Sequence, residues 1–305
     1  MSSNLIARSN FSDPSMFVWS KLSGAKWMDA WEERFAGNPN LVIEIIKGGK
    51  SIRLRLFCES QREAAAIVAQ FGGSVRKLAH AEWAKPVAPP RPVKVRDALL
   101  LTPEVRPQEL ARIQQEHPQR QIIMIPPEMA FGTGDHATTS TCLRLLVDVA
   151  NARRGTNWSV ADLGTGTGVL AIAARKLGSG PAYACDFDPF AVEVVKRNVA
   201  RNATGGIAVK QQDVLEWKPR QPGYDVVMAN LFSTMLIKAW PVIAKALAAG
   251  GDLIVSGILA TQAWDVFTAA AGEGLGFTQV VTKGKWVTAR GGHLTDLIAA
   301  GHGLP

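Results

Sequence analysis

The stretch from Val160 to Pro189 constrains this chain more than any other. A short apolar run, Ser159-Val-Ala161, ends in Asp162-Leu-Gly164-Thr-Gly166-Thr-Gly168. An alanine-rich helical segment, Val169 to Leu177, follows and stops at Gly178, where a helix end favours the left-handed backbone that glycine tolerates. A second apolar run, Ala182-Tyr-Ala-Cys185, ends in Asp186-Phe-Asp188-Pro189. The order strand, glycine loop, helix, strand, acid predicts one βαβ unit with a ligand at the carboxyl ends of its strands.

Glycine spacing narrows the ligand. A dinucleotide fingerprint would need glycines at 164, 166 and 169, but position 169 is Val. The pattern is instead G-x-G-x-G with Asp162 just before it. An acid there repels a pyrophosphate but tolerates a zwitterionic amino-acid tail beside a sulfonium. Asp186, at the end of the second strand, is placed to accept from both hydroxyls of a ribose. S-adenosylmethionine fits this pattern best, with a nucleotide or a plain structural turn as the alternatives.

A length of 305 residues suggests two domains. With 47% hydrophobic and 20% charged residues the chain reads as globular, not disordered. No apolar run reaches membrane-span length, and the start lacks a signal-peptide plan, so no membrane association and a cytoplasmic location are expected. Cys58, Cys142 and Cys185 form no C-x-x-C pair and read as core residues in a reducing compartment. The five histidines are scattered and suggest no metal site. A net charge of +8 suits an RNA-rich or acidic partner, or simply a solvated surface, since no basic run concentrates it.

Two domains separate along the chain. Phe17–Leu22, Asn40–Ile46, Ser51–Phe57 and Ser74–Ala79 read as strands, and Lys26–Phe35 and Gln61–Gln70 as helices. The first helix would carry Trp27, Trp31 and Phe35 on one face. This βαββαβ order predicts an N-terminal ferredoxin-like α+β domain over residues 1–84. Arg53 and Arg55 share one strand face, either offered to a partner or merely solvated. Residues 85–120 begin proline-rich and read as a linker and connecting segment containing a strand-like run, Val93–Leu101, and a helix from Pro107.

Residues 121–305 are expected to form the second domain, an α/β, doubly wound, Rossmann-like sheet of the architecture common to S-adenosylmethionine-dependent methyltransferases. Before its βαβ unit, Ala130-Phe-Gly-Thr-Gly-Asp-His136-Ala-Thr-Thr139 leads into a helix. Its hydroxyls and amides suit an anionic group, although Thr138 or Thr139 could equally be a cap. Asp213 follows the third strand as a candidate acceptor for an adenine amino group or as a turn cap. Asn230 ends the fourth strand. A closing antiparallel hairpin is expected from Lys285–Thr288 and His293–Ile298, turning at Gly291-Gly292.

Ala130–Thr139 and Asp162–Ala174, followed by Asp186-Phe-Asp-Pro189, Ala229-Asn-Leu231 and Gly250–Ile258, resemble the ribosomal protein L11 methyltransferases, the PrmA family. The resemblance is good from about Gln121 to Phe277 and one of layout in the first domain, where that family holds its protein substrate. It implies S-adenosylmethionine-dependent methylation of lysine and N-terminal amines on a ribosomal protein; proximity to the ribosome or its RNA and a monomeric enzyme are further expectations. Thr139, Gly164, Asp186 and Asn230 would contact the cofactor, joined by Thr133 and Gly166 in the two loops, and Asn230 would stand near the incoming amine. Another protein lysine, or an RNA or small-molecule nitrogen, is the alternative acceptor.

Overall fold

The computed structural model describes residues 16–28, 31, 34–35, 40–46, 48–58, 60–78, 92–126, 132, 134 and 136–301. The expected lead-in, the proline-rich stretch 84–91, Phe131 and Thr133 lie outside the described residues. Those residues fall into two compact units, one ending at Leu78 and the other beginning at Pro92.

In the first unit β1 (Met16–Gly24), β2 (Leu41–Ile45), β3 (Ser51–Cys58) and β4 (Ser74–Leu78) form one sheet, with α1 (Gln61–Phe71) between the last two strands. The order is β2-β3-β1-β4 and every pairing is antiparallel. Alternation along β3 explains the core: Ile52, Leu54, Leu56 and Cys58 are buried while the residues between them are not. Trp19 lies at its centre against Trp31, Phe35 and Phe71, its indole N–H donating to the Gly72 carbonyl at 2.7 Å. Ser60 caps α1 by accepting from the Glu63 amide at 3.1 Å. Trp27 departs from the expected aromatic face. It sits in a 3-10 turn, Ala25–Trp27, and is exposed with the Lys26 ammonium over its ring. Arg53 and Arg55 both reach Glu44 on the neighbouring strand, at 3.7 and 3.2 Å, as a solvated ion-pair face.

The second unit opens with β5 (Val93–Val95), β6 (Leu99–Thr102), α2 (Pro107–Glu116) and β7 (Gln121–Met124). The strand-like run from Val93 is broken at Arg96, whose φ of 48° turns it into the β5–β6 hairpin. A seven-stranded sheet follows, from β8 (Val160–Leu163), β9 (Ala182–Asp186), β10 (Ile207–Gln211), β11 (Tyr224–Asn230), β12 (Leu247–Leu259), β13 (Leu275–Lys283) and β14 (Trp286–His293). Its order is β10-β9-β8-β11-β12-β14-β13, parallel except that β14 runs antiparallel to both its neighbours. The chain leaves β8 toward β9 on one side and returns to β11 on the other, so a topological switch point lies between β8 and β11.

Helices α3 (Ala137–Ala152), α4 (Val169–Lys176), α5 (Pro189–Arg201), α6 (Ser233–Ala246) and α7 (Ala263–Gly272) connect the strands. Strand β11 shows why both sheet faces are covered. Val226 and Met228 join one apolar cluster with Leu143, Leu146 and Ile172, whereas Val227 and Ala229 join another with Leu236, Trp240 and Ile243. All three cysteines are free and buried in these cores; burial pushes the thiols of Cys58, Cys142 and Cys185 up to about 11, 12 and 12. Among the described residues no helix is long and apolar enough to cross a membrane.

The closing hairpin is displaced from its expected position. It joins β13 to β14 and turns at Gly284, while Leu294–Ala299 forms a short helix, α8. Gly291 and Gly292 lie inside β14 and serve close backbone approach: a Cβ at Gly291 would stand 1.8 Å from the Gly276 carbonyl oxygen, and one at Gly292 2.8 Å from that of Gly251. Because backbone must move to admit a methyl there, Gly291→Ala is expected to cost about 3 kcal/mol, read as a lowered thermal midpoint; an unchanged midpoint would refute the packing argument.

Candidate active site

The site is assembled from loops at the carboxyl ends of β8, β9 and β11. Asp162, in β8, is fully buried and turned to the loop that follows. One of its carboxylate oxygens accepts from the Thr165 hydroxyl at 2.6 Å and from the Ala171 amide at 3.2 Å, tying loop to helix α4. The Thr165 amide in turn donates to the Cys185 carbonyl at 2.9 Å, which fastens the loop to β9. Glycines 164, 166 and 168 all have positive φ, so the loop path itself demands them.

Asp186 ends β9 and is 8% exposed. One carboxylate oxygen accepts from the Gly166 amide at 3.0 Å and the other from the Asp188 amide at 3.1 Å. Its carboxyl is thus fixed against the glycine loop. The Gln212 amide donates to the Asp186 carbonyl at 2.9 Å, so the loop after β10 meets the same place. Asp213 lies one residue further on, where Oδ1 caps a 3-10 turn by accepting from the Leu215 amide at 2.9 Å.

A second group gathers around Asn230, half-buried at the end of β11. Its side-chain nitrogen donates to the hydroxyls of Thr138 and Thr139 at 3.3 and 3.5 Å. Both threonines are buried in the first turn of α3, which His136 caps. The structure therefore brings Gly164, Gly166 and Asp186 together, and separately joins Thr139 to Asn230.

Two connections between these groups were not legible in the motifs. The Thr167 hydroxyl donates to the Gly132 carbonyl at 2.6 Å, and Asn198 on α5 donates to the Thr167 carbonyl at 2.9 Å. The glycine loop is thereby pinned to Gly132, upstream of α3. Asn202, one turn beyond Asn198, brackets β7 by accepting from the Met124 amide and donating to its carbonyl, each at 2.8 Å. The signal was present: Asn198 and Asn202 continue the apolar stripe of Ala191, Val194 and Val195, where a polar side chain needs a partner. The other connection is Leu231. A Cβ at Gly164 would stand 2.3 Å from its Cδ2, so the space beside that glycine is filled by the residue following Asn230.

The local electrostatics are negative. Burial pushes the Asp162 carboxyl up to about 6, against the opposing pull of its bonds from Thr165 and Ala171. Burial also raises Asp186, with its two amide bonds opposing. No Lys or Arg occurs between Asp162 and Ala174 to balance them. A raised carboxyl stabilises the fold below its unfolded pKa of about 4, and that contribution is lost as pH rises through about 6. Asp162→Asn should abolish this part of the dependence: the wild-type midpoint should fall relative to the variant's between pH 4 and pH 7. Parallel curves from thermal melts across that range would contradict the assignment.

A profile of the ribosomal protein L11 methyltransferase (PrmA) family matches residues 51–293. The ribosomal protein L11 methyltransferase of Allorhizobium ampelinum is 39% identical over 196 residues, which is 61% of this chain and 60% of that protein. The one from Agrobacterium fabrum is 42% identical over 170 residues, 54% of this chain and 57% of its own length. This chain therefore spans somewhat under two thirds of these relatives. The crystal structure of a ribosomal protein L11 methylase from Lactobacillus delbrueckii subsp. bulgaricus superposes with a TM-score of 0.58 at 27% identity, covering 66% of this chain and 98% of that one. The βαβ unit, the strand order of its sheet and a profile match running across both units place this chain in the ribosomal protein L11 methyltransferase (PrmA) family.

Proposed function

We propose that this chain transfers methyl groups from S-adenosylmethionine to lysine and N-terminal amines of a ribosomal protein, the large-subunit protein L11 of its family's name. One observation carries the reading: an acid held by loop amides, Asp186, and an amide held by threonines, Asn230, stand at the carboxyl ends of β9 and β11, on either side of β8, whose glycine loop opens at the topological switch point.

The donor set fits the cofactor. Asp186 keeps accepting capacity for ribose hydroxyls beyond its two amide bonds, because a carboxylate has about four acceptor positions. The carboxylate of Asp186 at the glycine loop, with Asp162 behind that loop, favours a cationic sulfonium over a phosphate. In this reading Gly164, Gly166 and Thr139 serve the amino-acid end, with Thr133 assigned there by its motif alone, and Asp213 serves the adenine end. When bound, S-adenosylmethionine supplies a methyl group already activated by its positive sulfur. What remains for the protein is to deliver a neutral amine in line. A free lysine, with a pKa of about 10.4, must lose its proton, and desolvation beside a positive charge favours that loss. With its nitrogen committed to Thr138 and Thr139, the Asn230 side chain turns its oxygen to accept from the amine and aims the lone pair.

In this reading residues 1–84 form the unit that captures the protein substrate and 85–120 connect it to the enzyme proper. The enzyme is read as a monomer, and a ribosomal substrate agrees with a cytoplasmic one. The test is incubation with labelled S-adenosylmethionine and a ribosomal extract. Label on a single ribosomal protein is expected; label on RNA or on small molecules only would replace the acceptor class.

A further inference from the structure

We infer that Phe232 is the wall along which the stem of the accepting amine lies, so that it governs how tightly a lysine-type acceptor is held. The inference rests on the methyl-transfer reading above and names a specificity residue within it.

Three observations meet at this residue. The backbone around it is fixed. Leu231 is held by the glycine loop on one side, and its carbonyl oxygen would stand 2.3 Å from a Cβ at Gly257 on the other. Phe232 itself is extended, at φ −62° and ψ 152°, and its carbonyl accepts from the amides of Met235 and Leu236 at 2.9 and 3.0 Å. Yet the ring on this fixed backbone is 71% exposed, two residues beyond Asn230. Isolated exposed apolar residues are common and need no partner. An anchored aromatic two residues beyond the group that aims the amine is a different matter, because one short stretch of fixed backbone carries both.

The third observation is Ser233, next in sequence. Its hydroxyl is the one buried side-chain N or O atom without a hydrogen-bond partner among the described residues. The turn that begins α6 thus carries an exposed apolar ring and an unmet polar demand, adjacent to Asn230. A lysine presents the complement. Its four methylenes need an apolar surface, and its ammonium, before losing the proton, is attracted to an aromatic face. A nucleobase or a polar small molecule lacks such a stem.

The experiment is steady-state kinetics on purified L11 at saturating S-adenosylmethionine, with cofactor affinity measured by calorimetry on the same preparations. Phe232→Ala should raise KM for the protein about tenfold with kcat and cofactor affinity within about threefold of wild type, the pattern of lost uniform binding. Phe232→Leu should restore most of the KM, since apolar surface is what the stem requires. A KM within twofold of wild type for Phe232→Ala, or an equal fall in cofactor affinity, would overturn the inference while leaving methyl transfer intact. A wild-type chain inactive on L11 would overturn the functional reading and this inference with it. A thermal midpoint matched to wild type verifies that the exposed substitution leaves the fold unchanged.

Discussion

Asp186→Ala is expected to lower the affinity for S-adenosylmethionine by at least about a hundredfold, measured by calorimetry on the full chain. The carboxylate would accept two hydroxyl hydrogen bonds, and each bond to a charged acceptor is worth roughly 1.5–3 kcal/mol. Its removal also frees the Gly166 and Asp188 amides that now grip it, so the loop loses its fixed distance from β9. Asp186→Asn retains an acceptor oxygen without the charge and should fall between the two. The substitution lies at a strand end and leaves the Asp162 anchor of the loop in place, so the fold should survive it. Unchanged affinity would remove the cofactor assignment from this loop altogether.

The second large effect is expected at Asn230, and it should differ in kind. Asn230→Ala is expected to reduce kcat on the protein substrate by about 100- to 1,000-fold, the scale on which positioning of a reactant acts, while cofactor affinity changes only a few-fold. The hydrogen bonds to Thr138 and Thr139 hold the amide in one orientation, so Asn230→Asp, which cannot donate to both hydroxyls as the amide does, should not rescue. Turnover measured with saturating cofactor, alongside calorimetric affinity, separates the two roles. A parallel loss of both quantities would make Asn230 a cofactor ligand and leave the aim of the amine to another group.

Much of the architecture was legible because its signals are local. The strand, glycine loop, helix and acid from Val160 to Pro189 fold as read, because apolar runs bounded by obligate glycines leave few alternatives. The same holds for the alternating strand β3 and for Asp188-Pro189, where the side chain of Asp188 caps α5. The errors arose where one residue type serves two purposes. Gly291-Gly292 resembles a turn, but its lack of side chains answers the pressure of Gly276 and Gly251 across neighbouring strands, a long-range fact invisible in the sequence. Trp27 has helical spacing with Trp31, yet a 3-10 turn rotates it away from the core.

The candidate site divides in the same way. Asp186 and Asn230 stand at strand ends, which periodicity locates. The relay from Gly132 through Thr167 to Asn198 joins residues distant in sequence, and only the folded chain brings them together. Gly164 changes meaning in the process: its missing side chain makes room for Leu231, so the glycine loop and the end of β11 are fitted to each other.

The central claim is that the methyl group held at the glycine loop goes to amines of a ribosomal protein. Purified large-subunit protein L11, incubated with this chain and S-adenosylmethionine and analysed by peptide mass spectrometry, tests it most directly. Methyl groups on lysine or N-terminal amines, absent when the Asn230→Ala chain is used, are the predicted result. An unmodified L11, in the presence of a chain that binds S-adenosylmethionine normally, would contradict it.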